Sequence, residues 1–181
     1  MSDLPTGNAA IGQSGGPTAV INQSLAGVVE GLQAGLVASG TVTQILGMRH
    51  GVRGIAKDRC DLVDLTGMSA QDLDVIAQTP SAALGSTRDK PDDAYCAQIL
   101  KGCRQNNIRY FFYVGGNDSA DTCRIVNEKA AEAGYEMRCF HVPKTIDNDL
   151  RENDHTPGFA SAARFVALAH MGDALDNASL G

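Results

Sequence analysis

At 181 residues, 43% of them hydrophobic and 20% charged, the chain has the length and apolar content for one complete core and no long disordered tail. A net charge of −6, with cations placed singly as at Arg49, Arg53, Arg88 and Lys144, argues against nucleic acid as a partner. No stretch is long and apolar enough to span a bilayer. Cys60, Cys96, Cys103, Cys123 and Cys139 are odd in number and form no C-x-x-C, and Met1-Ser2-Asp3-Leu4-Pro5 lacks the regions of a signal peptide, so a cytoplasmic protein with reduced thiols is expected.

The first predicted strand runs from about Asn8 to Ile11 and ends in the turn Gly12-Gln13-Ser14-Gly15-Gly16-Pro17-Thr18. Val20, Ile21, Leu25, Val28 and Leu32 fall near helical spacing, which predicts a helix over roughly Thr18 to Ala34. A second strand is expected over Thr41 to Leu46, then a Gly- and Arg-containing loop, His50 to Gly54. Ser69 with Asp72 resembles a capping box for a helix ending near Gln78. A polar loop from Gly85 to Pro91 follows, and a helix from about Asp92 to Gln105 leads into the aromatic strand Tyr110 to Val114. A second turn, Gly115-Gly116-Asn117-Asp118-Ser119, opens a helix that runs to about Ala133 and is closed by Gly134. The strand Met137 to Val142 runs into Pro143-Lys144-Thr145-Ile146-Asp147-Asn148-Asp149, and a last helix covers about Phe159 to Leu175.

This alternation, without repeat or low-complexity linker, predicts a single α/β unit over residues 1–181: an open, mostly parallel sheet with helices on both faces. Asn177-Ala178-Ser179-Leu180-Gly181 reads as a loop leading into a further strand, so a truncated chain is expected, with a short natural protein as the alternative.

Three strand ends carry chemistry-bearing residues. Glycine lets backbone approach an anion, and the N–H groups of a helix start point at it, so the two Gly-rich turns read as phosphate cradles; the bland reading of each is a tight strand-to-helix turn. Asn117-Asp118-Ser119 could equally serve as a helix cap. The third end packs a cation, a hydroxyl and two carboxylates into seven residues. Of Asp147 and Asp149, one can take a proton while the other holds a metal or orients the first, which suits phosphoryl transfer to an alcohol; the bland reading is two solvated loop aspartates. His50, His141, His155 and His170 share no metal-ligand spacing and read as surface or satisfied side chains, and Arg49 and Arg53 as surface charges.

In order and spacing, these three motifs resemble the 6-phosphofructokinases, most closely their pyrophosphate-dependent branch, and Asp154-His155-Thr156-Pro157-Gly158-Phe159 is similar too. The resemblance covers almost the whole chain. It implies reversible phosphoryl transfer from pyrophosphate to the 1-hydroxyl of fructose 6-phosphate, giving fructose 1,6-bisphosphate in glycolysis, with Mg²⁺ as cofactor and a homo-oligomer at full length. By the same resemblance Asp147 is the general base, Asp149 a second essential carboxylate and Thr145 a sugar contact. Gly12, Gly15, Gly16 and Arg88 match donor-phosphate positions, and Gly116, Asp118 and Ser119 complete the donor side.

ATP-using members carry glycine where this chain has Asp118, whose carboxylate would crowd and repel a nucleotide's α-phosphate. Lys144 matches the lysine of the pyrophosphate branch. Asn117 stands where an aspartate commonly holds the metal. The family's later sugar-phosphate segments have no counterpart in this chain. An ATP-dependent kinase and a non-catalytic phosphate-binding fragment remain the alternatives.

Overall fold

The computed structural model describes residues 4–57 and 60–180. Met1, Ser2 and Asp3 of the first segment and Gly181 of the last lie outside the described residues. In chain order the elements are β1 (Gly7–Gln13), α1 (Ile21–Leu32), β2 (Val42–Met48), α2 (Arg53–Ala56), β3 (Leu62–Asp64), α3 (Ala70–Gln78), α4 (Asp93–Gln105), β4 (Ile108–Gly115), α5 (Asn117–Glu132), β5 (Arg138–Pro143) and α6 (Phe159–Ser179). A wider π-helical turn, Gln33–Val37, continues α1.

The strands form one sheet in the order β3-β2-β1-β4-β5. β1 pairs in parallel with both β2 and β4, β5 adds in parallel to β4, and only β3 runs antiparallel, against Leu46–Met48. The expected open, mostly parallel sheet is therefore present. Alternation along the central strands separates two buried layers. Ala10, Leu46, Met48, Phe111 and Tyr113 pack with Val52 just before α2, Ile55 of α2, Ile99 and Cys103 of α4 and Val126 and Ala130 of α5. Ala9, Ile11, Ile45, Tyr110 and Val114 pack with Ile21, Leu25 and Val29 of α1, Leu73 of α3 and Leu84. Helices thus cover both faces.

Local sequence accounts for the element ends. Ser69 and Asp72 form the reciprocal capping box of α3, and Asp92 caps α4 by accepting from the Tyr95 N–H. Gly134, at φ +61, follows α5. The five cysteines are free thiols, and burial raises the pKa of Cys139 to about 12 and those of Cys103 and Cys123 further. Three expectations differ. α1 starts at Ile21, the His50–Gly54 loop ends in the single turn α2, and α6 stays helical to Ser179 where a loop was expected.

The sheet's order places a functional crevice. From β1 the chain steps to β2 on one side and, later, to β4 on the other, so the carboxyl ends of β1 and β4 flank a topological switch point. Ligands of open α/β sheets bind outside the strand ends at that point. Here those ends are Gln13 and Gly115, with Pro143 of β5 next in line.

Candidate functional site

The turn after β1 is held open by a polar network. Gln13 is fully buried; its amide donates to the Ile21 carbonyl and Asn22 Oδ1, and its oxygen accepts from the Leu84 N–H. Asn22 in turn donates to the Thr79 carbonyl and accepts from the Ala83 N–H, which ties the loop after α3 to the start of α1. Ser14 N–H donates to Val114 O, Gly15 N–H to Thr87 O at 2.8 Å, and Ser86 Oγ to Gly15 O. Gly15 sits at φ +77, where a Cβ would also come within 2.9 Å of Lys144 Nζ. Glycine is thus required there twice, for the backbone and for the lysine.

The second and third strand ends meet this turn. α5 starts at Asn117 with Gly116 as its cap residue and no side-chain cap, so its first turn faces the crevice with unclaimed N–H capacity. Lys144 N–H donates to Gly115 O, and His141 Nε2 lies 2.8 Å from the same carbonyl. The segment beyond β5 closes on itself. Thr145 N–H donates to Pro157 O, Thr156 Oγ1 to Thr145 O, and Thr156 N–H to Asn148 Oδ1, with Asn148 at φ +53. That closure displays Asp147 and Asp149, both exposed, on the crevice wall; Asp147 N–H is fixed by Thr145 Oγ1 at 3.1 Å.

The result is a cleft of about 620 Å³. It gathers Gly15, Gly16, Arg88, Gly116, Asn117, Asp118, Ser119, Lys144, Thr145, Asp147 and Asp149, the predicted site residues with one exception. Gly12 is the correction: it is buried inside β1, away from the cleft, and a Cβ there would strike Met48, Tyr113 and Gly51. It packs beneath the turn and is not among the residues that line the cleft.

Electrostatics sharpen the picture. Lys144 is only 4% exposed, and its Nζ donates to Gly16 O at 2.9 Å. Burial pushes its pKa below the usual lysine value, Arg88 adds to that, and Asp147 partly offsets both. A buried cation that lacks a full counter-charge is a ready partner for an anion. Asn117 Nδ2 donates to Asp149 Oδ2 at 2.6 Å, which joins the amide to the second carboxylate. Among the described residues no three His, Cys, Asp or Glu side chains converge as a metal cage.

Sequence reasoning found the Gly85–Pro91 loop and Arg88 but missed what anchors them. Asp89 accepts from Arg53 through two guanidinium nitrogens and from the Tyr95 hydroxyl at 2.9 Å. The Arg53 hydrogen bonds bring its carboxyl down to about 2. Arg53, read as a plain surface charge, is therefore an anchor of this loop. Next along, Lys90 Nζ lies 3.1 Å from Asp118 Oδ2, linking the loop to the first turn of α5. The signal available in the sequence was the alternation Arg88-Asp89-Lys90, which lets an anchored carboxylate sit between two cations.

The molecule is thus an α/β domain with a glycine-lined cleft at the switch point of a mostly parallel sheet, carrying a buried ammonium and two exposed carboxylates. The chain belongs to the phosphofructokinase family, whose model matches residues 8–177. It is 55% identical over 174 residues to the pyrophosphate–fructose 6-phosphate 1-phosphotransferase of Rhodospirillum rubrum, covering 96% of this chain and 42% of that protein. It is 40% identical over 182 residues to the enzyme of the same name from Xanthomonas campestris, covering 98% of this chain and 42% of that protein. The crystal structure of a pyrophosphate-dependent phosphofructokinase from Nitrosospira multiformis matches with a TM-score of 0.85 at 39% identity, over 96% of this chain and 42% of that one. The chain thus spans about two fifths of the length of these relatives.

Proposed function

We propose that this chain is the donor-binding and catalytic part of a pyrophosphate-dependent 6-phosphofructokinase. The supporting observation is that three strand ends, distant in sequence, line one cleft with Asp147 on its wall. In this reading Thr145 contacts the sugar, and Asp147 accepts the proton of the 1-hydroxyl as that oxygen attacks phosphorus. The bridging P–O bond breaks and phosphate leaves. Gly15, Gly16, Arg88 and Lys144 hold the donor, together with the α5 start at Gly116, Asp118 and Ser119. The Arg88 guanidinium, the Lys144 ammonium and the backbone N–H groups of the α5 start are in place before charge shifts, so they act by positioning and electrostatics.

The amide oxygen of Asn117 and the carboxylate of Asp149 bonded to its Nδ2 are hard donors that fit Mg²⁺, an ion held by one or two carboxylates plus substrate phosphate and water. When bound, the ion would neutralise phosphate charge. In the same reading the acidic chain with its free thiols works in the cytoplasm, on small phosphorylated substrates rather than on nucleic acid. At full length we expect a homo-oligomer.

The test joins this chain to the remaining length of the Rhodospirillum rubrum relative and measures fructose 6-phosphate phosphorylation by pyrophosphate. Activity is expected, and Asp147→Ser should lower it by about 100-fold or more. Retention of the unaltered rate would remove Asp147 as the base. Preference for ATP in the unaltered protein would overturn the donor assignment.

A further inference from the structure

Asp118 poses a problem for the pyrophosphate reading, the assignment on which a role for Lys90 depends. A carboxylate that repels the phosphates of a nucleotide should repel pyrophosphate as well, since both are polyanions. The structure supplies a resolution on the opposite wall. Lys90 Nζ lies 3.1 Å from Asp118 Oδ2, and both side chains line the donor cleft. The backbone that carries Lys90 is anchored one residue earlier, where Asp89 is clamped by Arg53 and Tyr95 and donates its own N–H to Thr87 Oγ1. The same clamp sets Arg88 against the first glycine turn, where its Nη2 would stand 3.2 Å from a Cβ at Gly16.

We propose that Lys90 is a specificity-determining residue that cancels the charge of Asp118 toward the donor. The paired carboxylate keeps its bulk in the cleft, where a nucleotide would have to pass, yet presents little net charge to a short inorganic polyanion. Lys90 acts through Asp118 as a positioning and neutralising group. It comes from the same loop as Arg88 rather than from a strand end, and leaves Lys144 and Arg88 as the net positive groups of the cleft.

A double-mutant cycle on the 181-residue chain tests this by calorimetric titration with inorganic pyrophosphate and Mg²⁺. Lys90→Met leaves Asp118 unpaired and should weaken pyrophosphate binding about tenfold, with the loss shrinking at high salt. Asp118→Asn alone should bind at least as tightly as the unaltered chain, because Lys90 is released toward the phosphates. Lys90→Met with Asp118→Asn should return to within about threefold of the unaltered chain, a non-additivity that a purely structural role would not produce. Lys90→Arg should bind like the unaltered chain. Both side chains are largely exposed, so thermal unfolding of the variants should match the unaltered chain. If Lys90→Met binds as the unaltered chain does, or if the double variant is as weak as Lys90→Met, the role given to Lys90 is wrong. If the unaltered chain binds no pyrophosphate, the donor assignment falls first.

Discussion

Lys144 sits where burial works against its charge, and the surrounding glycines make that possible. Its folded-state pKa is lowered, so the cost of the buried ammonium is present in full below that pKa and is relieved as pH rises through it toward the ordinary lysine value. Lys144→Met should therefore remove pyrophosphate binding while raising the melting temperature by about 2–4 °C, the response of a domain this size to roughly 1 kcal/mol. Calorimetric titration and a thermal melt on one sample check both halves. Asp89 behaves in the opposite sense. Its carboxyl is depressed to about 2, so its contribution is present above the ordinary aspartate value and is lost as pH falls from about 4 toward 2. Asp89→Asn should flatten that acid limb of the stability curve. At neutral pH it should cost about 1 kcal/mol after solvent screening of the exposed Arg53, read from urea unfolding.

Among the elements, close helix contact rather than propensity sets the tolerance to change. A Cβ on Gly102 of α4 would fall 2.0 Å from the Ile55 carbonyl of α2, and backbone cannot swing aside as a side chain can. Gly102→Ala should cost about 1–3 kcal/mol, towards the upper end, despite alanine's better helix propensity. Urea unfolding decides it: a stabilised variant would mean that α2 gives way freely. The long elements were legible because Val20 to Leu32 carries helical spacing and Tyr110 to Val114 reads as a buried apolar run. β3 and α2 were not, since three and four residues are too short to show a period and both exist by leaning on β2 and α4. Gly12 was misplaced because the motif around it reads as one turn, whereas the strand continues through Gln13. Arg53 with Asp89 and Lys90 with Asp118 escaped because ion pairs across 36 and 28 positions leave no local pattern.

At the scale of the molecule, two surfaces stand out from the packed sheet. α6 has no buried residue, and its exposed apolar side chains Phe165, Val166, Leu168, Met171 and Leu175 are spread around the helix, the pattern of an element meant to be enclosed. Phe140 on the edge strand β5 is 44% exposed and stacks on Phe112 at 4.9 Å. Apolar surface of this extent drives association. The 181-residue chain should bind a hydrophobic dye and self-associate at micromolar concentration, and Phe165→Ser with Leu168→Ser should reduce both signals in fluorescence and sedimentation. Unchanged dye binding would place the sticky surface elsewhere.

Arg88, Lys90, Asp118 and the buried Lys144 all line the cleft and belong to neither of the two apolar layers of the sheet. On the proposed assignment, donor preference would be a detachable trait in this architecture. A lineage or a laboratory selection could trade one phosphate currency for another by rewriting a handful of lip positions while leaving the foundation untouched. Winning substitutions in such an experiment should cluster in residues 85–91 and 116–118 and at Lys144.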